Sequence, residues 1–279
     1  MPTADPRAAA SAARDLTALD TAIAGCDACP RLVAWRQDQA RIKVARFRDE
    51  TYWARPVPGF GESNARIALV GLAPAAHGGN RTGRVFTGDA SGDFLWHAMH
   101  AVGLASQAEG RRAGDGLRLH GVRVLAAVRC APPANKPTPD EQARCRPYLA
   151  RELELLRDLR VIVPLGAIGW DATLRTLSEL GNAVGSPRPA FGHGAETLIG
   201  RYTLLGSYHP SQQNTFTGRL TAPMLETVLR RARELAGLCS RLHSGSPSRR
   251  GAVPWTMRTP RLRSPTSSAP TTPMPGGRA

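Results

Sequence analysis

The sequence predicts an α/β protein with three layers (α/β/α), in which helices cover both faces of a central, mainly parallel four-stranded sheet. Two observations support this prediction. Short apolar runs rich in Val, Ile and Leu alternate along the chain with longer segments whose apolar residues recur at helical spacing. The runs are apolar at consecutive positions, which is typical of strands that are buried on both faces of a parallel sheet.

The predicted elements follow one another in a regular order. Strands are predicted at RIALVG (66–71), VRVLAAV (122–128), VIVPLG (161–166) and RYTLLGSYH (201–209), and helices at 90–104, 138–159, 167–180 and 221–237. Pro147 is expected to kink or divide the second helix. Ligands bind at the carboxyl ends of parallel strands. The functional loops are therefore expected at 71–89, 129–137, 166–169 and 208–219.

Composition divides the chain into three parts. Residues 1–15 are rich in alanine and are predicted to be flexible, whereas residues 16–239 carry the alternating pattern of a single domain. Residues 240–279 consist mainly of Ser, Pro, Arg, Gly and Thr, which predicts a disordered basic tail. We find no apolar run typical of a signal peptide or a membrane span, so a cytoplasmic protein without a membrane partner is expected.

The chain is strongly basic. Its formal net charge is +15, and the last forty residues contain seven arginines and no Asp or Glu. Residues 1–239 therefore keep a charge of +8, which suits a polyanionic partner such as nucleic acid. An arginine-rich composition that reflects a GC-rich genome explains the charge equally well, so charge alone leaves both explanations open.

Four of the five cysteines form two pairs. Cys26 and Cys29 form a CxxC motif, while Cys130 and Cys145 lie at the end of a predicted strand and on the following helix. Four such thiolates fit a structural zinc ion or an iron–sulfur cluster, and the presence of only one CxxC motif favours the cluster. Scattered buried cysteines are the alternative interpretation. Cys239 stands alone near the tail.

The first predicted strand leads into a glycine-rich loop, GLAPAAHGGNRTGRVFTGDASG. The loop lacks both the P-loop lysine and the spacing of GxGxxG, so it is not typical of nucleotide binding. Its glycines allow the backbone to fold closely around a flat ligand, to which Phe86 offers an aromatic face. Asp89 directly precedes a predicted helix, where it is either a helix cap or a functional carboxylate.

A second polar loop, HPSQQNTFTGRLT, follows the last predicted strand. His209 ends this strand, and we therefore expect it at the same edge of the sheet as Asp89. A single histidine is more often structural than catalytic, but a histidine and an aspartate at one edge form a candidate active site.

Three segments together resemble the signature motifs of the uracil-DNA glycosylase superfamily: GLAPAAHGGNRTGRVFTGDASG, RCAPPANKPTP and HPSQQNTFTGRLT. The resemblance is greatest to family 5, the type called UDGb, and covers about Cys26 to Leu238. It implies a uracil-DNA glycosylase-like fold and a base-excision-repair enzyme that acts on deaminated bases in double-stranded or single-stranded DNA, as a monomer. It also implies a structural [4Fe-4S] cluster, whose ligands would be Cys26, Cys29, Cys130 and Cys145.

The resemblance also implies roles for individual residues. His209 would donate a hydrogen bond to the pyrimidine O2, where the charge of the departing base collects. Asp89 would stabilise the oxocarbenium-like sugar and orient the attacking water. The implied base-binding residues are Gly71, Ala73, Phe86, Asn135 and His209, and the implied DNA contacts are Arg84, Lys136, Ser211, Gln213, Asn214 and Arg219.

The sequence departs from better-known uracil glycosylases at two places. The first motif has Ala73, Ala75 and Ala76 in the region where those enzymes carry a polar residue that positions water. The strand asparagine that reads uracil in related families falls at Ala126 or Ala127, which leaves Asn135 as the nearest candidate to reach the base or support catalysis. This departure, like family 5 itself, implies that hypoxanthine and xanthine are also accepted.

Two other classes of function compete with the glycosylase. A non-enzymatic nucleic-acid-binding protein with an iron–sulfur cluster would share the basic surface and the cysteines, but it would not need Asp89 or His209. A serine esterase on the same kind of sheet would need a GxSxG nucleophile motif, which the sequence lacks.

Overall fold

The computed structural model describes residues 5–238 and shows a sheet between two layers of helices. The strands are β1 (Phe60–Gly61), β2 (Ile67–Gly71), β3 (Val122–Ala126), β4 (Val161–Pro164), β5 (Glu196–Ile199) and β6 (Tyr202–Leu205). The helices are α1 (Pro6–Ala12), α2 (Leu16–Ala24), α3 (Pro30–Ile42), α4 (Gly79–Thr82), α5 (Ala90–Ala101), α6 (Pro139–Leu155), α7 (Ala167–Glu179), α8 (Gln212–Phe216) and α9 (Ala222–Leu235).

The sheet has the strand order β1-β3-β2-β4-β6-β5. The four central strands run parallel, as predicted, and β2 at the centre pairs with both β3 and β4. The sheet nevertheless has six strands rather than four, because β1 and β5 add antiparallel edges. The sequence pattern missed both edge strands since β1 has only two residues and β5 is largely exposed, so neither forms a continuous apolar run.

Two hydrophobic cores lie on opposite faces of the sheet. In β2, Ile67 and Leu69 pack into one core with residues of α5 and α9, whereas Ala68 and Val70 pack into the other with residues of α6 and α7. Every residue of β2 is buried, because helices cover both of its faces. The three-layer prediction is therefore confirmed.

The predicted flexible N-terminus is wrong from Pro6 onward, because Pro6–Ala12 forms α1. Asp5 caps this helix, and Ala10 is buried where α1 packs on α6. Alanine is the best helix former, so the composition that suggested a loose segment instead supports a helix once a packing surface is available. The predicted tail at 240–279 lies outside the described residues, as does Cys239.

Helix α6 is continuous across Pro147, so the helix is not divided there. It begins with a capping box, in which the Thr138 hydroxyl accepts from the Glu141 backbone N–H and the Glu141 carboxylate accepts from the Thr138 N–H. Glu141 also pairs with Arg31 of α3 at 2.7 Å. This ion pair joins the helix that follows Cys29 to the helix that contains Cys145. Between residues 5 and 238, no helix has the length and apolar character needed to cross a membrane.

Candidate active site

The carboxyl ends of the central strands bring Gly71, Phe86 and His209 together. Gly71 ends β2, and the Phe86 ring lies so close to it that a Cβ at Gly71 would be 2.8 Å from the ring. The ring centroids of Phe86 and His209 are 5.9 Å apart, with their planes inclined at 34°. The glycine loop and the last strand thus meet at one edge of the sheet, as the parallel topology requires.

The backbone around Phe86 is held in an unusual conformation. Phe86 has φ = 49°, in the left-handed region that bulky residues rarely adopt. Its carbonyl oxygen packs against Gly92 of α5, where an added Cβ would lie 2.0 Å from that oxygen. Strained backbone of this kind is concentrated at functional sites, where surrounding contacts enforce it. Here the contacts with Gly71 and Gly92 enforce it and aim the ring at His209.

Asp89 is a helix cap, and only one of its carboxylate oxygens makes the capping bond. Oδ1 accepts a hydrogen bond of 2.9 Å from the Gly92 N–H at the start of α5. Oδ2 faces the glycine loop, where a Cβ at Gly78 would be 2.0 Å away. The glycine at position 78 therefore leaves space for a carboxylate oxygen in the loop, and the cap does not preclude a second role for Asp89.

Burial raises the pKa of Asp89 above its ordinary value of 3.8. The backbone N–H groups of Gly92 and Ser91 and the positive charge of Arg81 partly oppose this increase. The carboxylate is consequently a stronger base than an exposed aspartate, as a group that activates water requires.

His209 is a neutral imidazole, because burial lowers its pKa from 6.5 to about 4. Its carbonyl oxygen accepts a hydrogen bond of 2.9 Å from the Asn214 side chain. Gly166, which directly precedes α7, leaves room for the His209 side chain, since a Cβ at Gly166 would be 3.1 Å from the His209 Cβ. A neutral ring has one N–H to donate, so His209 can donate a hydrogen bond without carrying a positive charge.

Sequence reasoning missed the residues that support His209 from the side of Tyr208. The rings of His193 and Tyr208 stack with centroids 5.0 Å apart, and His193 Nδ1 accepts the Tyr208 backbone N–H at 3.2 Å. Phe191 contacts the same tyrosine edge-on at 6.1 Å. Both supporting residues come from the loop before β5, whose position beside β6 is not visible in the sequence.

The glycine loop is anchored by Arg81, which is nearly fully buried. Its guanidinium donates to the carbonyls of His77 and Gly88 at 2.8 and 3.2 Å and pairs with Glu50. The Tyr52 hydroxyl lies 3.0 Å from His77 Nδ1. These contacts are structural, so His77 and Arg81 shape the loop that holds Asp89.

The predicted DNA contact at Arg84 is wrong. Its side chain is only 5% exposed and forms a bidentate pair with Asp115 at 2.8 and 2.7 Å. Its Nε donates to the Thr87 hydroxyl at 2.8 Å, and its guanidinium lies 4.9 Å from the Phe60 ring centroid. A buried arginine with these partners cannot reach a phosphate. Arginines in glycine-rich loops are usually exposed, but in the folded protein Asp115 and Phe60 enclose the Arg84 side chain.

Asn135 and Lys136 lie on an exposed turn that follows β3. Asn135 has φ = 56°, a conformation that asparagine tolerates better than most residues. Among residues 5–238, its side-chain amide makes no hydrogen bond, so it is free to contact a ligand. The structure records no contact between this amide and Asp89 or His209, and its catalytic and base-binding roles stay predictions.

The polar loop after His209 forms the short helix α8. Ser211 caps it by accepting from the Asn214 N–H at 3.4 Å, while Gln213 is exposed. Phe216 is 63% exposed, which is unusual for a phenylalanine and places an aromatic ring on the surface at the end of α8. The guanidinium of exposed Arg219 lies over the Tyr208 ring, 4.8 Å from its centroid.

Ala73, a predicted base-binding residue of the glycine-rich loop, packs near Cys130, on the cysteine side of that loop.

The four paired cysteines line one cavity between α3, α6 and the end of β3. Burial raises the pKa of Cys130 to about 11 and that of Cys145 to about 12, so both thiols are protonated at neutral pH. Buried Arg36 and Arg129 line the same cavity. No group of three or more His, Cys, Asp or Glu side chains within residues 5–238 is arranged to hold one metal ion.

Comparison with known proteins agrees with this arrangement. A family model described as the uracil DNA glycosylase superfamily matches residues 58–233. The type-5 uracil-DNA glycosylase of Thermus thermophilus is 53% identical over 225 residues, which cover 80% of this chain and 100% of the relative. The type-5 uracil-DNA glycosylase of Mycobacterium tuberculosis is 51% identical over 231 residues, which cover 82% and 85% of the two chains.

This chain belongs to the uracil DNA glycosylase superfamily, in its type-5 family. The type-5 uracil-DNA glycosylase of Pyrobaculum aerophilum is 44% identical over 215 residues, which cover 77% of this chain and 91% of the relative. The span matched by the superfamily model includes the whole glycine loop, His209 and both Cys130 and Cys145. Cys26 and Cys29 precede that span.

Proposed function

We propose that this chain is a DNA-repair enzyme that hydrolyses the N-glycosidic bond between uracil and deoxyribose in DNA and leaves an abasic site. The observation that carries this proposal is the joint placement of Phe86 and His209 at one sheet edge, with Asp89 at the start of the adjoining helix. Membership of the type-5 family and the names of its relatives support the same reaction.

In this reaction the damaged nucleotide leaves the DNA stack and its base enters the space beside Phe86. Stacking on an aromatic face stabilises a flipped base by about 1–3 kcal/mol. The glycine loop lets the backbone approach the ring closely. Exposed Phe216 on α8 is the candidate to fill the vacated place in the duplex.

Bond cleavage then needs one stabilising group for each developing charge. The C1′–N1 bond breaks with its electron pair on uracil, and the neutral His209 ring donates a hydrogen bond to O2, where this charge collects. Asp89 stabilises the positive sugar and accepts a proton from the water whose oxygen bonds to C1′. The departing uracil anion takes its proton from solvent.

We also propose that the site accepts hypoxanthine and xanthine. Ala126 and Ala127 are buried where related enzymes carry a uracil-reading asparagine, so no polar side chain from these positions discriminates among bases. The exposed amide of Asn135 supplies a less restrictive contact.

The cysteine cavity fits an iron–sulfur cluster better than a zinc ion. Four thiols line it, and they include only one CxxC motif, whereas a zinc site of four cysteines more often has two. We propose that Cys26, Cys29, Cys130 and Cys145 hold a [4Fe-4S] cluster. When bound, it would act as a structural cross-link between the N-terminal segment and the β3–α6 unit.

The test of the proposed reaction is an assay with a labelled duplex that contains one uracil opposite guanine, followed by alkali to cleave abasic sites. Duplexes with hypoxanthine, xanthine or thymine, and a single strand with uracil, are compared under the same conditions. Cleavage at uracil supports the reaction. Protein that binds the duplex but releases no base would instead support the non-enzymatic DNA-binding alternative.

The cytoplasmic location and monomeric state stay predictions.

The pH dependence of single-turnover cleavage should show an acid limb set by Asp89. Its carboxylate must be ionised, and its pKa is raised by burial, so activity should fall with decreasing pH at a midpoint above 3.8. Burial lowers the pKa of His209 to about 4, so protonation of its ring becomes appreciable only near and below that pH. A His209→Gln variant should therefore keep the same midpoint at lower rate, and a midpoint that moved with this substitution would contradict the assignment.

Arg219 is expected to contact a phosphate of bound DNA. Arg219→Ala should weaken DNA binding and reduce the slope of log K against log salt by about 0.9, the value for one lost phosphate contact. Arg201 is a matched control, because it also stacks on a tyrosine, 5.0 Å from the Tyr202 ring centroid, but at the start of β6. Equal slopes for Arg219→Ala and Arg201→Ala would show that Arg219 does not contact DNA.

A further inference from the structure

Arg36 is a buried arginine whose charge has no carboxylate partner. It lies on α3 with 6% exposure, and no ion pair joins it to Asp or Glu anywhere in residues 5–238. Arg123 and Arg129, which are similarly buried, both pair with Glu152. A buried charge without a counter-charge is strongly destabilising, because the ion has lost its hydration and gained no partner. Arg36 therefore requires an anion from another source.

The contacts of Arg36 point to the cysteines as that source. Its Nη1 donates to the Cys130 sulfur at 3.0 Å, and Nη1 and Nη2 both donate to the Cys26 carbonyl at 3.4 and 3.3 Å. One guanidinium thus bridges the CxxC segment and the end of β3. These two segments are far apart in sequence and supply three of the four cysteines.

Several N–H groups in the wall of the cavity lack partners. Arg36 Nε, together with Arg129 Nε and Nη1, is buried without a hydrogen-bond acceptor in the described part of the chain. The Arg129 backbone N–H donates to the Cys145 sulfur at 3.2 Å. Buried polar groups are nearly always hydrogen-bonded. A concentration of unpaired donors around four cysteines therefore indicates an anionic group inside the cavity.

We propose that Arg36 is a positioning residue for the cysteine-bound cluster and supplies both counter-charge and an N–H···S bond to the Cys130 ligand. This inference rests on the cluster proposed above. A cluster with four thiolates is anionic, and a buried cation beside it favours the more negative, reduced form. Outer contacts to a metal ligand also strengthen metal retention. Arg36 consequently raises the reduction potential of the cluster and slows the loss of iron.

Arg36 is also hydrogen-bonded to the glycine-rich loop of the active site. The backbone carbonyl of Arg36 accepts a hydrogen bond of 3.1 Å from the fully buried Asn80 side chain in α4. The Asn80 carbonyl in turn accepts from the Ala54 N–H at 3.0 Å. Arg36 thus lies between the cysteines and the loop that anchors Asp89.

The experiment compares Arg36→Met, Arg36→Lys and wild type, each purified without oxygen as the full chain. Arg41→Met is the control, because Arg41 lies on the same helix but is exposed. Iron, zinc and sulfide content, visible absorption, reduction potential and the rate of iron loss to a chelator are measured. Arg36 is the better choice than Arg129, whose removal would leave Glu152 without one of its buried partners.

Arg36→Met is expected to have a more negative reduction potential and to lose iron to the chelator faster, in line with the roughly 10- to 100-fold loss of metal affinity that is typical of outer-contact substitutions. Arg36→Lys protein should have a reduction potential and a rate of iron loss between those of wild type and Arg36→Met, since lysine keeps the charge but lacks the planar guanidinium with its several N–H donors. If Arg36→Met protein does not fold, the reduction potential of Arg36→Lys protein tests the proposed role of Arg36. Wild-type potential and iron loss in the Arg36 variants would overturn the proposal. Wild-type protein that excises uracil but holds no iron would overturn it too, and would leave the proposed reaction intact.

Discussion

Asp89→Asn protein is expected to excise uracil about 100- to 1,000-fold more slowly than wild type, the usual cost of removing one preorganised electrostatic contact in a transition state. The carboxylate lies at the start of α5, where its Oδ2 faces the glycine loop. An amide of the same shape can neither accept a proton from water nor stabilise a positive sugar. Single-turnover rates at saturating enzyme measure this effect separately from DNA binding.

The Asn substitution separates catalysis from helix capping. Asparagine caps helices about as well as aspartate, so the melting temperature should stay close to that of wild type. Asp93→Asn is the matched control, because Asp93 is an exposed carboxylate in the first turn of the same helix. If Asp89→Asn kept full activity while a non-capping Asp89→Ala protein was destabilised, Asp89 would be a helix cap only.

His209→Ala protein is expected to lose activity by about 100- to 1,000-fold, through the loss of the hydrogen bond to the departing base. The effect should appear mainly in the single-turnover rate, because this hydrogen bond strengthens as charge develops on uracil. 5-Fluorouracil departs as a more stable anion than uracil does. The substitution should therefore lower the excision rate of 5-fluorouracil less than that of uracil. Equal losses for both bases would contradict a role in leaving-group stabilisation.

Loss of packing is the competing explanation for any effect at His209, because its ring lies against Phe86. His209→Gln keeps a donor and much of the volume and should recover part of the rate that His209→Ala loses. His100→Ala provides the control for removal of a histidine, since His100 is exposed in the last turn of α5. A thermal unfolding scan of each variant shows whether the site or the fold has changed.

Much of the architecture was predictable from local pattern. Most residues of the four central strands are apolar and buried, and helices on both faces of the sheet explain why these residues do not alternate regularly with polar ones. Parallel strands place their carboxyl ends at one edge, and this topology predicts that His209 and the glycine loop lie together.

Other features depended on contacts that no local pattern encodes. Arg84 and Arg219 are both arginines in polar loops, yet Asp115 and Phe60 enclose the first whereas the second lies exposed on Tyr208. The helix at Pro6–Ala12 was mistaken for a flexible segment because its stability depends on packing against α6.

The sequence alone therefore determined the parallel core, the order of its elements and the edge where chemistry is expected, because hydrophobic periodicity and strand direction are local properties with global consequences. Only the tertiary structure decided which arginines are buried, that Phe86 holds a left-handed backbone against Gly71, and that Arg36 joins the cysteines to the active-site loop. These outcomes depend on burial and charge pairing between segments far apart in the chain, which are settled only when the chain has folded.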